Sequence, residues 1–565
     1  MGIEPGHPAI RRHFVTVNGA RQVHYRRAGK GPAVVLLHQS PTSSREHVPL
    51  IERLMGDFTV IAPDTPGNGL SDPLPGEQPS SEDYAHALAQ TLDALGIKRC
   101  GLFGTHTGGV TATEFARLYP DRVSVVIVDG ITCWTEEERA DAVANYFTPF
   151  APRWDGSHLT WLWSRMREQT IFFPWYAKSL AARLDYDLPP PDRLHNSLLE
   201  FLRAGDEYRK PYKAAFLFKG EEAIPAITCP AYLMAIAPDV LFGHFDRLPP
   251  LPDNIKIERF GASRSEMLDR AVAVLAQYPG QDGVPGPAAP GPIAGRTWQD
   301  YADVAGGQLH MRRSAGSGRP VLVQHDAASD NNVVRMAAEG FVGKRPVIAF
   351  DLPGNGESDN TIGTDKDAIT CTTYAAVTQQ ALASMGLNEI DYLGTWGSGF
   401  TGLELAKMQP GLVKHLVVAH VIYHPESLRR ELLAKYTPEL KTDWWGGYLL
   451  MAWHAMRDQG LYWPWYNRTR EGIIQREPYV DTAMVHRRVV SLLKCWNMWQ
   501  AHYGAHWKYD AHTELGRSPV PIALAGPDNH PGTDQAVKDH ATLQRVTTGN
   551  DMTAWAGALM PFLDS

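Results

Sequence analysis

CGLFGTHTGG, residues 100–109, is an apolar run that stops at a cluster of glycines, and VTATEFARLY follows with helical spacing. Glycine tolerates backbone conformations closed to other residues and lets two segments approach closely. The stretch therefore predicts a buried strand, a tight turn bracketed by Gly104 and Gly108, and a helix, with His106 alone at the tip of the turn. Working outward, AVVLLH, FTVIAPD, VSVVIVDG and AYLMAIAPD are further short runs, apolar on both faces and bounded by Gly, Pro or Asp. Runs of that kind suit a parallel sheet covered by helices on both sides. Their alternation with helical stretches predicts a doubly wound α/β fold, in which ligands bind at the carboxyl ends of the strands.

The pattern occurs twice. His38 after the first buried run has His325 as its counterpart, and Asp64 in VIAPDTPGNGLSD has Asp351 in VIAFDLPGNGESD. FGTHTGGVTATEFARLYP corresponds to LGTWGSGFTGLELAKMQP, and WSRMREQTIFFPWY to WHAMRDQGLYWPWY. The offset is 287 residues at the first two motifs and 290 at the last two. A period this long is a duplicated domain, not a solenoid. Between the copies, YPGQDGVPGPAAPGPIAG is rich in Pro, Gly and Ala without apolar periodicity and reads as a linker. The expected organisation is a domain over 1–278 with a cap at about 140–222, a linker over 279–295, and a domain over 296–565 with a cap at about 428–512.

At 565 residues the chain exceeds one ordinary core, and its formal net charge of −8 with scattered cations argues against nucleic acid as a partner. The five cysteines lack CxxC spacing, so neither a disulfide framework nor a zinc site is expected. No run of about 18 apolar residues predicts a membrane span, and the N-terminal residues do not resemble a signal peptide. The expectation is a cytoplasmic protein that binds a small molecule, with self-association left open. No P-loop, dinucleotide fingerprint or metal-spaced His/Cys cluster occurs, so no cofactor and no metal are expected.

The loop LLHQSPTSS, the turn DTPGNGLSD, the elbow GTHTGG and the acid closing MAIAPD together resemble the α/β-hydrolase fold family, twice along the chain. The resemblance implies two tandem domains, each a mostly parallel doubly wound sheet with a helical cap. It also implies a nucleophile at the elbow, an acid after a late strand and a histidine after the last strand. The elbow position falls on His106 and Trp396, and the acid position on Asp239 and Asp528. The histidine position falls in IERFGASRSEML, where Ser263 and Arg264 stand, and in LQRVTTGNDMTAW; neither stretch holds a histidine. Ordinary serine-hydrolase chemistry is therefore not expected.

An imidazole at the elbow could be a general base, could attack an acyl group, or could hydrogen-bond a ligand. The sequence reading is a His106 base paired with Asp239, with the helix N-terminus lowering the imidazole pKa. Oxyanion donors are expected at the Thr107 N–H and at Gln39 or Ser40. His38 reads first as an anchor of its loop and second as a substrate contact; His158, Trp163, Arg167 and Trp175 are candidate substrate contacts, and the functional reading of the aromatic cap is an apolar or aromatic substrate pocket. Trp396 carries no base and Tyr448 stands opposite His158, so the second domain reads as catalytically silent, a built-in dimer partner for the first. The reaction class expected is cleavage of a small organic substrate by His-based general base or nucleophilic catalysis. A lyase or cofactor-free proton-transfer enzyme, and a non-catalytic binding protein, are the alternatives.

Overall fold

The computed structural model describes residues 9–565 apart from 186, 476, 479 and 529. They divide into two units, one made of 9–151 and 158–291, the other of 292–565 together with 152–157. The first unit holds strands β1 (Arg11–Val17), β2 (Arg21–Ala28), β3 (Ala33–Leu37), β4 (Thr59–Pro63), β5 (Cys100–Thr105), β6 (Val123–Asp129), β7 (Ala231–Ile236) and β8 (Ile255–Phe260). They form one sheet in the order β1-β2-β4-β3-β5-β6-β7-β8. Only the β1–β2 and β2–β4 pairings are antiparallel; from β4 through β3 to β8 every pairing is parallel.

The central strands are buried at every residue because both faces are covered. Alternate residues of β3 show this directly. Val35 and Leu37 pack with α2 (Ser81–Ala94) and α3 (Thr107–Leu118), whereas Val34 and Leu36 pack with α1 (Val48–Leu54) and α9 (Arg264–Gln277). Each such side chain contributes roughly 1.5–3 kcal/mol on burial. Between β6 and β7 an insertion carries α4 (Glu136–Asn145), α5 (Ser157–Glu168), α6 (Pro191–Ala204), α7 (Arg209–Leu217) and the short α8 (Gly220–Ala223). Its aromatic cluster of Trp134, Tyr146, Phe216, Phe173 and Trp175 reaches Val240 and Leu241, immediately after β7.

The second unit repeats the plan with β9 (Trp298–Val304), β10 (Gly307–Arg313), β11 (Val321–Gln324), β12 (Val347–Phe350), β13 (Ile390–Thr395), β14 (Val413–Ala419), β15 (Ile522–Gly526) and β16 (Leu543–Thr547). Its sheet order, β9-β10-β12-β11-β13-β14-β15-β16, is the same permutation as that of the first. The Pro/Gly/Ala segment between the copies forms neither helix nor strand, yet it is not loose. Gln281 accepts from the Ala33 N–H at 2.9 Å and donates to the Arg99 carbonyl at 2.8 Å, and the Gly291 carbonyl accepts from the Thr16 hydroxyl at 2.7 Å. Hydrogen bonds and the packing of Val284 against the core together hold this segment to its own unit.

Candidate active site

The turn after β5 kinks as its glycines permit. His106 sits at φ 46°, ψ −107°, outside the ordinary regions for a side-chain-bearing residue, and α3 begins at the next residue. A Cβ on Gly104 would lie 2.4 Å from the Gly108 carbonyl oxygen, and one on Gly108 would lie 2.1 Å from that of Leu37. The strand, the elbow helix and the loop after β3 therefore come too close for any other residue at either position.

From this kink the imidazole reaches across Gly130 to the loop after β7. His106 Nε2 lies 2.8 Å from Asp239 Oδ2, and the other Asp239 oxygen accepts from the Leu241 N–H at 2.8 Å. A carboxylate only accepts, so Nε2 carries the proton, and Nδ1 is the open nitrogen. The ring is 27% exposed, so the open edge is reachable from solvent. Gly130, at φ 72°, makes this crossing feasible: a Cβ there would lie 2.6 Å from Cδ2 of His106 and 2.8 Å from Nε2.

The sequence expectation for the pKa is overturned. Burial pushes the imidazole down, as a helix N-terminus would, but Asp239, with Asp129 and Glu46 behind it, outweighs burial and raises the His106 pKa above its ordinary value. Burial likewise works against the ionised Asp239, and the nearby imidazole overcomes it, holding the carboxyl below its usual range.

Three further charged residues surround the pair, and none had been singled out as a site residue. Asp129, fully buried at the end of β6, accepts the His106 N–H on its carbonyl at 3.0 Å. Its carboxylate takes Arg264 Nη2 at 2.7 Å. Burial raises the Asp129 pKa, with Arg264 and His106 acting in the opposite direction. Glu46 binds the Gln39 N–H at 3.2 Å, the Gln39 side-chain amide at 3.0 Å and the Thr42 hydroxyl at 2.7 Å. The signal that marks them is comparison of the halves: Asp129 and Glu46 have Ala419 and Val333 as counterparts, and the loop corresponding to Arg264 carries no cation.

The remaining expected residues divide. Thr107 heads α3, so its N–H has no carbonyl of its own helix to meet. It and the Ser40 N–H have no hydrogen-bond partner among the described residues. The Gln39 N–H, expected as an alternative donor, is taken by Glu46 and is corrected to a loop-holding role. His38 takes the anchoring role and not the substrate contact. It is fully buried, bonds the Gln39 carbonyl through Nδ1 at 2.7 Å and accepts the Thr65 N–H on Nε2 at 2.8 Å, so both ring nitrogens tie loops together and neither can meet a substrate. His158 and Trp163 lie 3% and 1% exposed on α5. Trp175 belongs to the aromatic cluster that reaches Leu241, and Arg167 is partly buried on α5 with its Nε unbonded among the described residues.

A family model described as the alpha/beta hydrolase fold matches residues 32–162. The chain has the α/β-hydrolase fold, and it has it twice. An uncharacterised protein of Mycobacterium tuberculosis is 39% identical over 126 residues, 21% of this chain and 35% of its own length. A 2-hydroxy-6-oxo-6-phenylhexa-2,4-dienoate hydrolase of Comamonas testosteroni is 34% identical over 115 residues, 19% of this chain and 39% of its own. The chain thus spans about a third to a half of the length of the curated relatives it matches. Among solved structures, the enol-lactonase of Burkholderia xenovorans LB400 has 20% identity and a TM-score of 0.34, covering 47% of this chain and 98% of that one. Among the described residues, no helix is long and apolar enough to cross a membrane.

The second α/β-hydrolase domain keeps the backbone kink and fills it differently. Trp396 takes the elbow at φ 48° and stacks on His420, with ring centroids 4.9 Å apart. The Gly397 N–H, at the place of the Thr107 N–H, donates to Asp326 Oδ1 at 3.2 Å, and Nδ1 of the buried His506 lies 3.1 Å from the same oxygen. Asp528 is exposed and accepts from the Thr547 hydroxyl at 3.0 Å, remote in role from the elbow. Ser398 is fully buried, and its hydroxyl donates to backbone carbonyls of Thr395 and Gln324. Indole thus stands in place of imidazole at this elbow, and a carboxylate oxygen accepts from the elbow amide.

Proposed function

We propose that the first domain cleaves a small organic substrate by general base catalysis, with His106 Nδ1 as the base and Asp239 as its partner. The observation that carries this reading is the 2.8 Å bond from Nε2 of the elbow imidazole to Asp239, which leaves Nδ1 open at the mouth of the kink. In hydrolysis, Nδ1 takes a proton from water while the hydroxide adds to a carbonyl carbon. The N–H groups of Thr107 and Ser40 hold the oxyanion. Collapse expels the leaving group, which takes the proton back from Nδ1. Asp239 stabilises the imidazolium between those two transfers. With the nucleophile's own place given to the base, the attacking group is water, or the reaction begins by removal of a proton from carbon. The aromatic cluster ending at Val240 and Leu241 supplies the apolar wall beside the acid loop. The hydrolase relatives support the reaction class, and the second domain acts as a catalytically silent partner.

The test is kcat/KM of the whole chain on 4-nitrophenyl acetate, 4-nitrophenyl butyrate and dihydrocoumarin, compared with His106→Ala. Loss of a positioned base is expected to cost on the order of 10²–10⁴-fold. Full turnover in His106→Ala, or labelling of a serine by a fluorophosphonate, would reject the reading.

A further inference from the structure

The cation at the vacated histidine position suggests what the substrate carries. Arg264 begins α9, where the fold expects its last catalytic member. It sits against Asp129, and Asp129 is also the residue whose carbonyl holds the His106 N–H, so the guanidinium and the elbow share one anchor. That anchor uses little of the guanidinium. Only Nη2 is bonded, to one oxygen, and Asp129 Oδ1 stays buried without a partner, so the pair is not the two-pronged match that saturates an arginine. Nε and Nη1 have no partner among the described residues, and the side chain is 44% exposed. The other carboxylates nearby are committed elsewhere: Asp239 to His106 and the Leu241 N–H, Glu46 to Gln39 and Thr42. The second domain lacks the base, Asp129 and the arginine together.

We propose that Arg264 is the substrate-recognition cation of the first domain, and that the substrate class is organic carboxylates whose anionic group docks on the free edge of its guanidinium beside the reacting centre. Building on the base reading above, this names the substrate class of the same site. Asp129 fixes the guanidinium from below, and a planar fork facing solvent matches a carboxylate better than a point charge would.

The probe is benzoate, with benzamide as its neutral counterpart, titrated calorimetrically into the whole chain and into Arg264→Met, Arg264→Lys and His106→Ala. Benzoate is expected to bind the wild type and to prefer it over benzamide. Arg264→Met should weaken benzoate by roughly tenfold to a hundredfold, the range for a charged hydrogen bond, and leave benzamide unchanged. Arg264→Lys should fall between the two, and it serves if the methionine variant does not fold. His106→Ala should retain benzoate binding, because the anion rests on the arginine; full turnover in that variant would remove the base reading while leaving this one standing. No saturable benzoate binding to the wild type, or equal benzoate affinity in a folded Arg264→Met or Arg264→Lys protein, overturns the proposal.

Discussion

Replacing Gly130 by alanine tests the crossing on which the site depends. The new Cβ would stand 2.6 Å from Cδ2 of His106 and 2.8 Å from Nε2, where carbon contacts need about 3.5–4.0 Å. The ring must retreat by about 1 Å, which stretches the 2.8 Å bond to Asp239 beyond hydrogen-bonding range. Losing a charge-assisted bond costs about 1.5–3 kcal/mol, and placing an L residue at φ 72° costs about 1–2 kcal/mol more. The domain should still fold, because the second copy holds His420 at the same place with φ 56°; there the elbow side chain stacks on the residue instead of passing over it. The expected result is a melting temperature lowered by several degrees and a His106 titration midpoint moved down from its raised value. Burial would then be opposed by the Asp239 charge without its hydrogen bond. Nuclear magnetic resonance of the His106 ring across pH reads that midpoint. An unchanged midpoint in Gly130→Ala would refute the claim that the ring must cross bare backbone to reach its acid.

Asp239→Asn should shift the acid limb of the pH–rate profile to lower pH, since the carboxylate that raises the His106 pKa is gone, and should lower kcat by on the order of 10²–10⁴-fold through loss of the oriented tautomer. The stability sign follows from the same pair. The stabilisation linked to His106 is fully present below the unfolded imidazole value near ~6.5 and is lost as pH rises through the raised folded value; that linked to Asp239 is present above ~3.9 and is lost as pH falls through the depressed folded value. The difference in unfolding free energy between wild type and Asp239→Asn, from denaturant melts across pH, should therefore be largest between about pH 4 and 6.5. Asp326→Ala frees the Gly397 N–H and removes the acid beside His506, so it should destabilise the second domain by about 1–3 kcal/mol in urea melts. It should leave turnover unchanged, and a fall in turnover would assign chemistry to the second domain.

How far the site was legible from sequence depended on the range of the forces involved. The strand–elbow–helix unit is written locally. Gly104 and Gly108 are the residues that steric contact at 2.4 and 2.1 Å demands, so the turn and the place of His106 at its tip follow from ten consecutive residues. The position of Asp239 in the loop after β7 is likewise a local event. Gln39 was misread for the opposite reason. Nothing local to HQS indicates that Glu46 will take the Gln39 amide.

The sequence alone determined the duplication, the alternation of buried strands and helices, and the kink that lifts an imidazole in one copy and an indole in the other. These are consequences of steric limits and apolar patterning over a few residues. Tertiary structure alone decided the charge environment of the imidazole. Its acid lies 133 residues away along the chain, and Arg264 and Asp129 meet across 135. The direction of its pKa is the balance of burial against carboxylates that those distant segments deliver. Charge interactions act through space and ignore chain order, so they exist only once the sheet has brought the ends of β5, β6, β7 and β8 side by side.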